Sequence, residues 1–373
     1  MTARPAAVAA GLRVSATARL GDHADAWDDL VEAAPLPSPF LRSWWLEAMA
    51  EASTRATPVF ALVLEGDRLL GGLALQERRR AGLAVLEFLG AGPLSPDHLD
   101  LVALPGAEAA VAAELGRWLR GRGPALLDLD GAADTHRLGP VLGPRAWVTV
   151  TEEAPFVRLP ADYASYLAGI APIMRNSIRR SGNKLGRRGD LQSRFVPAED
   201  LAPALSRLLT LHRGQWGEDA GLEREFSAFS AAAHAGHARG ELQVLELRVG
   251  EEVAAVDVVL TVCGRMSMYT GGRDLDDRFS GAGTVSMARA ISQAIEQEAS
   301  EVDFLRGTEP YKEQWAAGHR RLLRLRAGTA LGGQAVLRAI QLREAPATRA
   351  VARRVRALVP AGLPGASAPE QKA

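Results

Sequence analysis

The sequence predicts an α/β fold of the α+β kind. It is built as two tandem domains, each with a mixed, mostly antiparallel sheet flanked by helices. Two similar segments support this prediction, at residues 59–75 and 244–260. Each consists of an apolar strand, a turn with glycine and an acidic residue, and a second apolar strand, which is typical of a hairpin. Each follows helical sequence and precedes strand, helix and strand, so duplication of one unit is the simplest interpretation.

The composition limits the classes of protein to which this chain can belong. The chain has 373 residues, of which 47% are hydrophobic and 24% charged, and its formal net charge is zero. These values are typical of a soluble globular protein and exclude general polyanion binding by the whole molecule. No run approaches the ~18 uncharged apolar residues of a membrane span, and the N-terminus lacks a convincing signal peptide. The expected location is therefore cytoplasmic.

Metal and disulfide chemistry have little support in the sequence. The single cysteine, Cys263, excludes an intrachain disulfide and a cysteine-rich zinc site. Its apolar flank favours a buried structural thiol. The seven histidines show no metal-binding spacing, so no metal is expected.

Three regions are predicted along the chain: an N-terminal domain at 13–150, a C-terminal catalytic domain at 151–332 and an Arg-rich helical tail at 333–373 with a disordered end. The N-terminal domain has only Gly90-Ala-Gly-Pro as a candidate phosphate turn, and the polar residues that follow Pro93 do not open a helix. We therefore expect this domain to be a scaffold and one wall of an acceptor site. Asp97 and Asp100 either face that wall or, as we favour, are exposed loop acids.

The C-terminal domain contains a glycine turn between a strand and a long helix. The turn is Arg278-Phe-Ser-Gly-Ala-Gly-Thr284, an Arg-x-x-Gly-x-Gly pattern, and helical sequence follows to about residue 299. Backbone N–H groups at a helix N-terminus attract anions. Gly281 and Gly283 let a diphosphate approach the main chain, because no Cβ stands in the way. A lone Gly-x-Gly turn is weak evidence for a phosphate site, but the strand before it and the helix after it strengthen this evidence.

These features resemble the GNAT acyltransferase superfamily, in which this turn binds the pyrophosphate of acetyl-CoA. The closer resemblance is to its CelD-like branch, the GNAT-like acetyltransferases of exopolysaccharide biosynthesis. Three stretches carry it: residues 174–185, 208–216 and 303–315. The tandem arrangement also resembles the FemABX peptidyltransferases, doubled GNAT folds that use aminoacyl-tRNA, and the basic Arg-Asn-x-Ile-Arg segment fits that family too.

The resemblance implies acetyl-CoA, or another acyl-CoA, as co-substrate. Main-chain groups of the strand and the turn would hold this donor and stabilise the tetrahedral oxyanion. The implied donor-binding residues are Tyr269, Thr270, Gly271, Arg278, Ser280, Gly281, Ala282, Gly283 and Thr284.

N-acyl transfer from a thioester also needs a base for the amine and a proton for the thiolate. Asp257, Asp303 and Glu309 are the candidate bases. Glu309 is favoured because it lies past a strand end, where ligands gather in open α/β sheets. Tyr311 is the candidate acid toward the leaving sulfur.

Structural alternatives exist for these residues. Asp303 would equally suit a buried ion pair with Arg306, and Glu309 would suit a cap of the helix that begins at Pro310. Tyr311 and Trp315 have the spacing of a packing pair. Asp257, in an apolar strand, must find a partner such as Arg175 or shift its pKa.

The substrate-binding candidates are mostly basic: Arg175, Arg179, Lys184, Arg306, Lys312 and Trp315. The basic residues between 173 and 187 have helical spacing. They either bind the acceptor, the 3′-phosphate of CoA or a tRNA end, or form a solvated face. The expected acceptor is an amine on an amino sugar, a cell-envelope glycan precursor or a specialised metabolite.

Two alternative functions are carried beside N-acetyl transfer. One is a FemABX-type tRNA-dependent aminoacyl transferase, the one interpretation in which nucleic acid is a partner. The other is a non-catalytic accessory protein of polysaccharide assembly. The Arg-rich tail is either a solvated helix face, which we favour, or a peripheral contact with a membrane or a protein partner.

Overall fold

The computed structural model describes residues 11–80, 82–217 and 221–345. The strands in this part of the chain are β1 Leu12–Thr17, β2 Thr57–Glu65, β3 Arg68–Arg80, β4 Leu83–Phe88, β5 Val102–Ala103, β6 Ala125–Ala133, β7 Trp147–Arg158, β8 Leu191–Phe195, β9 Leu242–Val249, β10 Glu252–Val262, β11 Arg265–Arg273, β12 Glu301–Asp303 and β13 Gly318–Thr329.

The helices flank this sheet. They are α1 Ala24–Glu32, α2 Ser43–Ala52, α3 Glu108–Gly121, α4 Gly139–Leu142, α5 Tyr163–Gly169, α6 Pro172–Gly186, α7 Leu201–Trp216, α8 Gly221–Arg224, α9 Phe226–Ala238, α10 Ala282–Glu296, α11 Pro310–Glu313 and α12 Ala330–Glu344. None of the helices in the described ranges has the length and hydrophobicity of a membrane span.

All of the strands belong to one sheet, in the order β1-β2-β3-β4-β6-β13-β7-β12-β11-β10-β9-β8, with β5 paired to β3. Neighbours in this order are antiparallel, except for the parallel pairs β4–β6 and β11–β12. The order has an internal symmetry, because each end shows a hairpin, then a parallel pair, then one of the two central strands. The predicted fold class, duplicated and mostly antiparallel with flanking helices, is confirmed.

The two halves exchange their central strands. β13, from the end of the chain, lies between β6 and β7, while β7 lies between β13 and β12. The predicted boundary at 150/151 falls inside β7, and the predicted tail begins within α12, which packs on β13. A cut at one position therefore does not separate two complete sheets, and the domain limits stay a prediction. The tail from 346 onward, with the disordered end predicted from Gly362, lies outside the described residues.

Two predicted hairpin turns and the predicted burial of one cysteine can be compared with the structure. Gly66 and Gly250 have φ angles of +61° and +60°, the left-handed conformation that glycine adopts without strain. The hairpins predicted around them, β2–β3 and β9–β10, are confirmed. Cys263 lies in the tight turn after β10 and is exposed, so the expectation of a buried thiol was wrong.

The halves are packed together by buried polar contacts as well as by a shared core. Arg42, before α2, donates to Glu241, and the Trp44 indole N–H donates to the same carboxylate at 2.6 Å. One hydrophobic cluster runs through both halves and includes Trp45, Phe60 and Phe229. This packing fixes α7 and α9 against the first half.

Helix α7 is seated directly on β11 at Gly272. A Cβ on Gly272 would come within 2.8 Å of the His212 backbone nitrogen and 3.0 Å of the Leu208 carbonyl oxygen. Contact this close needs glycine, and it sets the height of α7 above the strand. The polar C-terminal turn of α7 is thereby placed beside the end of β11.

Candidate active site

The site is built along a free edge of β11. On one side β11 pairs with β10, but on the other side only Arg265–Ser267 pair with β12, which ends at Asp303. In the described residues, positions 268–273 of β11 have no strand on that side. The pairing with β10 also shifts opposite Val258 and Val259, leaving a bulge at Tyr269. This edge exposes backbone N–H and C=O groups to a ligand.

A cavity of about 540 Å³ opens along this edge. The structure brings together in its walls twelve of the residues proposed from sequence: Asp257, Tyr269, Thr270, Gly271, Gly281, Gly283, Thr284, Arg306, Glu309, Tyr311, Lys312 and Trp315. The glycine turn and the Glu-Pro-Tyr-Lys segment therefore face one space, although about thirty residues separate them in the chain.

The glycine turn forms the N-terminus of α10. Gly281 is the N-cap with φ +96°, and no side chain caps the helix there. The N–H groups of its first turn consequently have no intrahelical partner. A Cβ on Gly281 would lie 2.7 Å from Ser181 Oγ, and one on Gly283 would overlap the side chain of Arg273. The turn thus combines free N–H groups with a guanidinium, that of Arg273, lying across it, an arrangement that would suit an anion.

Asp257 organises this anion site. Its buried carboxylate accepts hydrogen bonds from Ser286 Oγ of α10 and, at 3.3 Å, from Arg273. These donors supply the partners that a carboxylate in an apolar strand requires. An arginine does pair with Asp257, as expected, but it is Arg273 and not Arg175. Because both carboxylate oxygens are engaged, Asp257 is suited to orienting Arg273 and not to taking a proton from a substrate.

Glu309 occupies the N-cap position of α11, but its side chain makes no capping bond. The carboxylate instead lies 2.9 Å from Lys312 Nζ and remains half-exposed in the cavity wall. Tyr311 is 48% exposed as a residue. Burial around its phenol, and then the Glu309 carboxylate, raise the pKa of Tyr311 to about 12. Tyr311 is therefore protonated at neutral pH, as a proton donor must be.

Arg306 ties the cavity to the first half of the protein. Its backbone N–H and its Nε both donate to Asp97, at 2.8 and 2.6 Å, and the Asp97 side chain is fully buried. Although burial opposes the charge, Asp97 raises the pKa of Arg306. The expectation that Asp97 and Asp100 are exposed acids was wrong, because Asp100 is likewise buried against Arg137.

A second cavity of about 200 Å³ adjoins the first and is walled by the loop around Asp97. The two cavities share His212, Tyr269, Thr270, Arg306 and Lys312. The first half therefore forms one wall of the site, as the sequence suggested.

Asp303 does not face either cavity. Its side chain is fully buried, with Arg265 Nη2 at 2.9 Å, His98 Nε2 at 3.0 Å and Arg320 Nη1 at 3.2 Å. Burial opposes ionisation, but His98, Arg265 and the Leu305 amide hold the pKa of Asp303 at about 2. Neither the predicted base role nor the alternative pairing with Arg306 fits these contacts. Asp303 is a structural anion between the two halves.

Three residues predicted at the glycine turn also point elsewhere. Arg278 forms ion pairs with Asp276 and Glu252, both at 3.0 Å, outside the cavity walls. The Ala282 side chain is buried in a small core cluster, and Ser280 is exposed beyond the cavity. The structure leaves Ser280 and Ala282 only main-chain contributions to the site.

The basic helix α6 lies at the rim of the site rather than in it. Arg175 and Arg179 are exposed and do not line the cavity, whereas Met174 of the same helix does. Lys184 donates to the Asp277 carbonyl at 3.4 Å, next to the glycine turn. The predicted substrate-binding role of these cations is therefore limited to a group that extends out of the cavity.

Sequence reasoning assigned no role to the polar end of α7. His212, Gln215 and Trp216 line the main cavity, and His212 also lines the second one. Burial lowers the pKa of His212, which keeps its imidazole neutral at pH 7. The available signal was the spacing of His212 and Gln215, three apart at the end of an amphipathic helix, within a stretch that carried the family resemblance.

Comparison with known proteins agrees with this architecture. Residues 173–313 match the family model described as an acetyltransferase (GNAT) domain. No curated protein sequence matches the chain significantly.

Similar solved structures cover both halves. FemX has a TM-score of 0.61 at 12% identity, over 85% of this chain and 98% of that chain. A conserved protein of unknown function from Bacteroides thetaiotaomicron has a TM-score of 0.57 at 12% identity, over 84% of this chain and 99% of that one. The C-terminal domain of a putative lysylphosphatidylglycerol synthetase from Agrobacterium fabrum has 0.54 at 11%, over 86% and 96%. At these identities the likeness shows the fold alone.

The structural assignment of Asp303 predicts a pH-dependent stability. Its folded pKa of about 2 lies below the unfolded value of about 3.9. Its contribution is therefore complete above the unfolded value and is lost as pH falls toward 2. We expect Asp303→Asn to lower the free energy of unfolding by about 3 kcal/mol at pH 7, because the buried Arg265 and the partly buried Arg320 lose one of their two carboxylate partners and keep only Glu301.

Urea unfolding at pH 7, 5, 4 and 3 measures this effect, and the gap between parent and variant should narrow at the acid end. Asp67→Asn, at a fully exposed carboxylate, is the control. A gap that stays constant with pH would contradict the assignment.

Proposed function

We propose that this chain, which belongs to the GNAT acetyltransferase superfamily through residues 173–313, transfers an acyl group from acyl-CoA to an amine. One observation carries the proposal. The uncapped N-terminus of α10 and the free edge of β11 open into the same cavity as Glu309 and Tyr311. An anion site, an extended-chain site and a candidate acid–base pair thus occupy one space.

The donor would be held in three sections. Its pyrophosphate suits the free N–H groups of Gly281–Thr284 with Arg273 beside them. Its pantetheine arm, an extended chain with two amides, suits main-chain pairing with the edge of β11. Its 3′-phosphate would then reach the cations of α6 at the rim. This division explains why α6 is basic although its arginines stay outside the cavity.

The two faces of β11 separate donor from acceptor. A Cβ on Gly271 would meet Asp257 and Arg273, which lie on the α10 side, whereas Gly272 contacts α7 on the other side. The donor would approach on the α10 side. The acceptor amine would enter through the second cavity, between α7 and the loop around Asp97. The two reactants would meet at the bulge of Tyr269.

The proposed reaction uses groups at that meeting point. Glu309 accepts a proton from the ammonium group, and the resulting amine attacks the thioester carbonyl. Main-chain N–H groups near Tyr269 to Gly271 stabilise the oxyanion. The C–S bond then breaks, and the Tyr311 phenol protonates the thiolate. The attacking nitrogen loses its second proton to the Tyr311 phenolate, and Glu309 releases the first proton to solvent, so that a neutral amide and CoA leave. The acceptor is proposed to be an amino sugar, an envelope glycan precursor or a specialised metabolite.

One observation favours a second candidate, aminoacyl transfer from tRNA. Arg175 and Arg180 on α6 and Arg187 at its C-cap are exposed, and no ion pair with another described residue is found for them. An unpaired basic surface of this kind would also suit an RNA backbone. The next two experiments separate this donor from acyl-CoA.

We expect Gly283→Val to weaken acetyl-CoA binding at least tenfold, because the new side chain would occupy the place of Arg273 and of the diphosphate. Gly281→Val should do the same, since φ +96° strains any β-branched residue. Isothermal titration on the full chain measures both. Gly121→Val is the control, because its Cβ meets nothing within 4 Å. Unchanged affinity in both variants would remove the turn from the site.

The proposed role of the α6 cations at the cavity rim is tested by changing the ligand and the protein in parallel. The parent should bind acetyl-CoA about tenfold more tightly than its 3′-dephospho form, because charge-assisted hydrogen bonds contribute about 1.5–3 kcal/mol. A variant with Arg175, Arg179 and Lys184 all changed to Gln should bind both ligands equally.

Exposed arginines of α12, Arg338→Gln with Arg343→Gln, provide the control pair. If the triple variant loses binding to tRNA while its affinity for acetyl-CoA is unchanged, the aminoacyl-tRNA function replaces the proposed one.

The acid–base pair is tested by transfer to ethanolamine, a small primary amine that is an ammonium ion at neutral pH and so needs a base before it can attack. We expect Glu309→Gln to lower kcat/KM about 100-fold and Tyr311→Phe about tenfold, the range for lost general acid–base catalysis. Release of free CoA thiol is the readout. Glu313→Gln is the matched control, because Glu313 pairs with His319 outside the main cavity. Binding of acetyl-CoA without any transfer would favour the non-catalytic accessory protein.

A further inference from the structure

The deep end of the main cavity is apolar. Met174, Met268, Met287 and Trp315 line it, and we call these four side chains the apolar end. Met174 is 5% exposed, and Met287 and Trp315 are each 4% exposed. All four belong to or pack against one hydrophobic cluster of the C-terminal half. The cavity therefore ends on the surface of the core itself.

The donor geometry of the proposed function leads to this end. Arg273 and Gly283 lie together where the pyrophosphate would bind. From there, β11 runs back to Met268, and Met287 lies four residues, about one turn, further along α10 than Gly283. A donor that is anchored at the turn and extended along the free edge therefore carries its acyl group toward Met268 and Met287.

The apolar end is larger than an acetyl group requires. Three unbranched thioether side chains and one indole offer an adaptable, uncharged surface, which suits an aliphatic chain. A second, largely apolar space also borders Trp315. A groove of about 570 Å³, with Val157, Leu159, Ile170 and Ala316 in its walls, shares Gln314 and Trp315 with the main cavity.

We propose that the preferred donor is a CoA thioester with an aliphatic acyl chain longer than acetyl, and that this chain packs against the apolar end. The inference rests on the proposed function and specifies its donor. Each methylene that leaves water for this surface adds affinity, whereas a site for acetyl alone gains nothing from a longer chain.

Isothermal titration of the full chain with free CoA and with acetyl-, butanoyl-, hexanoyl- and octanoyl-CoA tests the proposal. We expect affinity to rise about three- to fourfold for each added methylene that becomes buried, until the space is filled. Met174→Trp fills the apolar end, so the rise should stop at a shorter chain. Met174→Ala enlarges the apolar end, so affinity should continue to rise up to a longer acyl chain. If Met174→Trp does not fold, Met174→Ala still tests the proposal.

Ile173→Trp is the matched control, because the neighbouring Ile173 side chain is 75% exposed and should leave the series unchanged. Equal affinity for acetyl- and octanoyl-CoA in the parent would overturn the inference while leaving acyl-CoA binding intact. A chain-length series that is the same in parent, Met174→Trp and Met174→Ala would also overturn it. A parent that does not bind free CoA would instead overturn the proposed function, and this inference with it.

Discussion

The early end of β12 is the constraint on which the site depends. β12 has three residues, and its last, Asp303, is held by arginines from β11 and β13 and by the His98 imidazole from a loop of the first half. The chain then leaves the sheet through Leu305, which has a left-handed φ of +56°. β11 continues alone, and its free edge opens the cavity. The ion cluster at Asp303 is thus remote from the proposed chemistry, yet it sets the space in which a donor can lie.

A loop of the first half also holds the end of β12 and the residues that follow it in place. The loop that begins at Pro93 places Asp97 on Arg306 and His98 on Asp303, so it contacts segment 303–306 at two points. Ser95 and His98 in this loop have left-handed φ angles of +45° and +56°. Non-glycine residues in that region carry strain and persist where the surroundings fix them. Because Pro93, Leu94, Ser95 and Asp97 line the second cavity, this loop helps to set the width of that cavity.

Local pattern was sufficient for part of this architecture. The hairpins around Gly66 and Gly250, the glycine turn and the helix after it could all be predicted from the sequence. Each depends on the pattern of neighbouring residues: the strand period, the turn glycine or the helix start. Arg278 was predicted to bind the donor because the sequence pattern does not show which way a side chain points. In the structure, ion pairs with Glu252 and Asp276 hold its guanidinium outside the cavity. Asp97 and Asp303 were misjudged because their partners come from distant segments. The exchange of β7 and β13 is likewise a long-range pairing without a local signal.

In the proposed function, main-chain groups of the glycine turn and of the β11 edge bind the acyl donor together. Amide hydrogen exchange with and without acetyl-CoA observes these groups one by one, since each backbone N–H exchanges separately. We expect slower exchange on ligand addition at residues 281–284 and 269–273, with little change in the β2–β3 hairpin. Saturation with ligand that leaves both segments unprotected, or that protects only one of them, would contradict it.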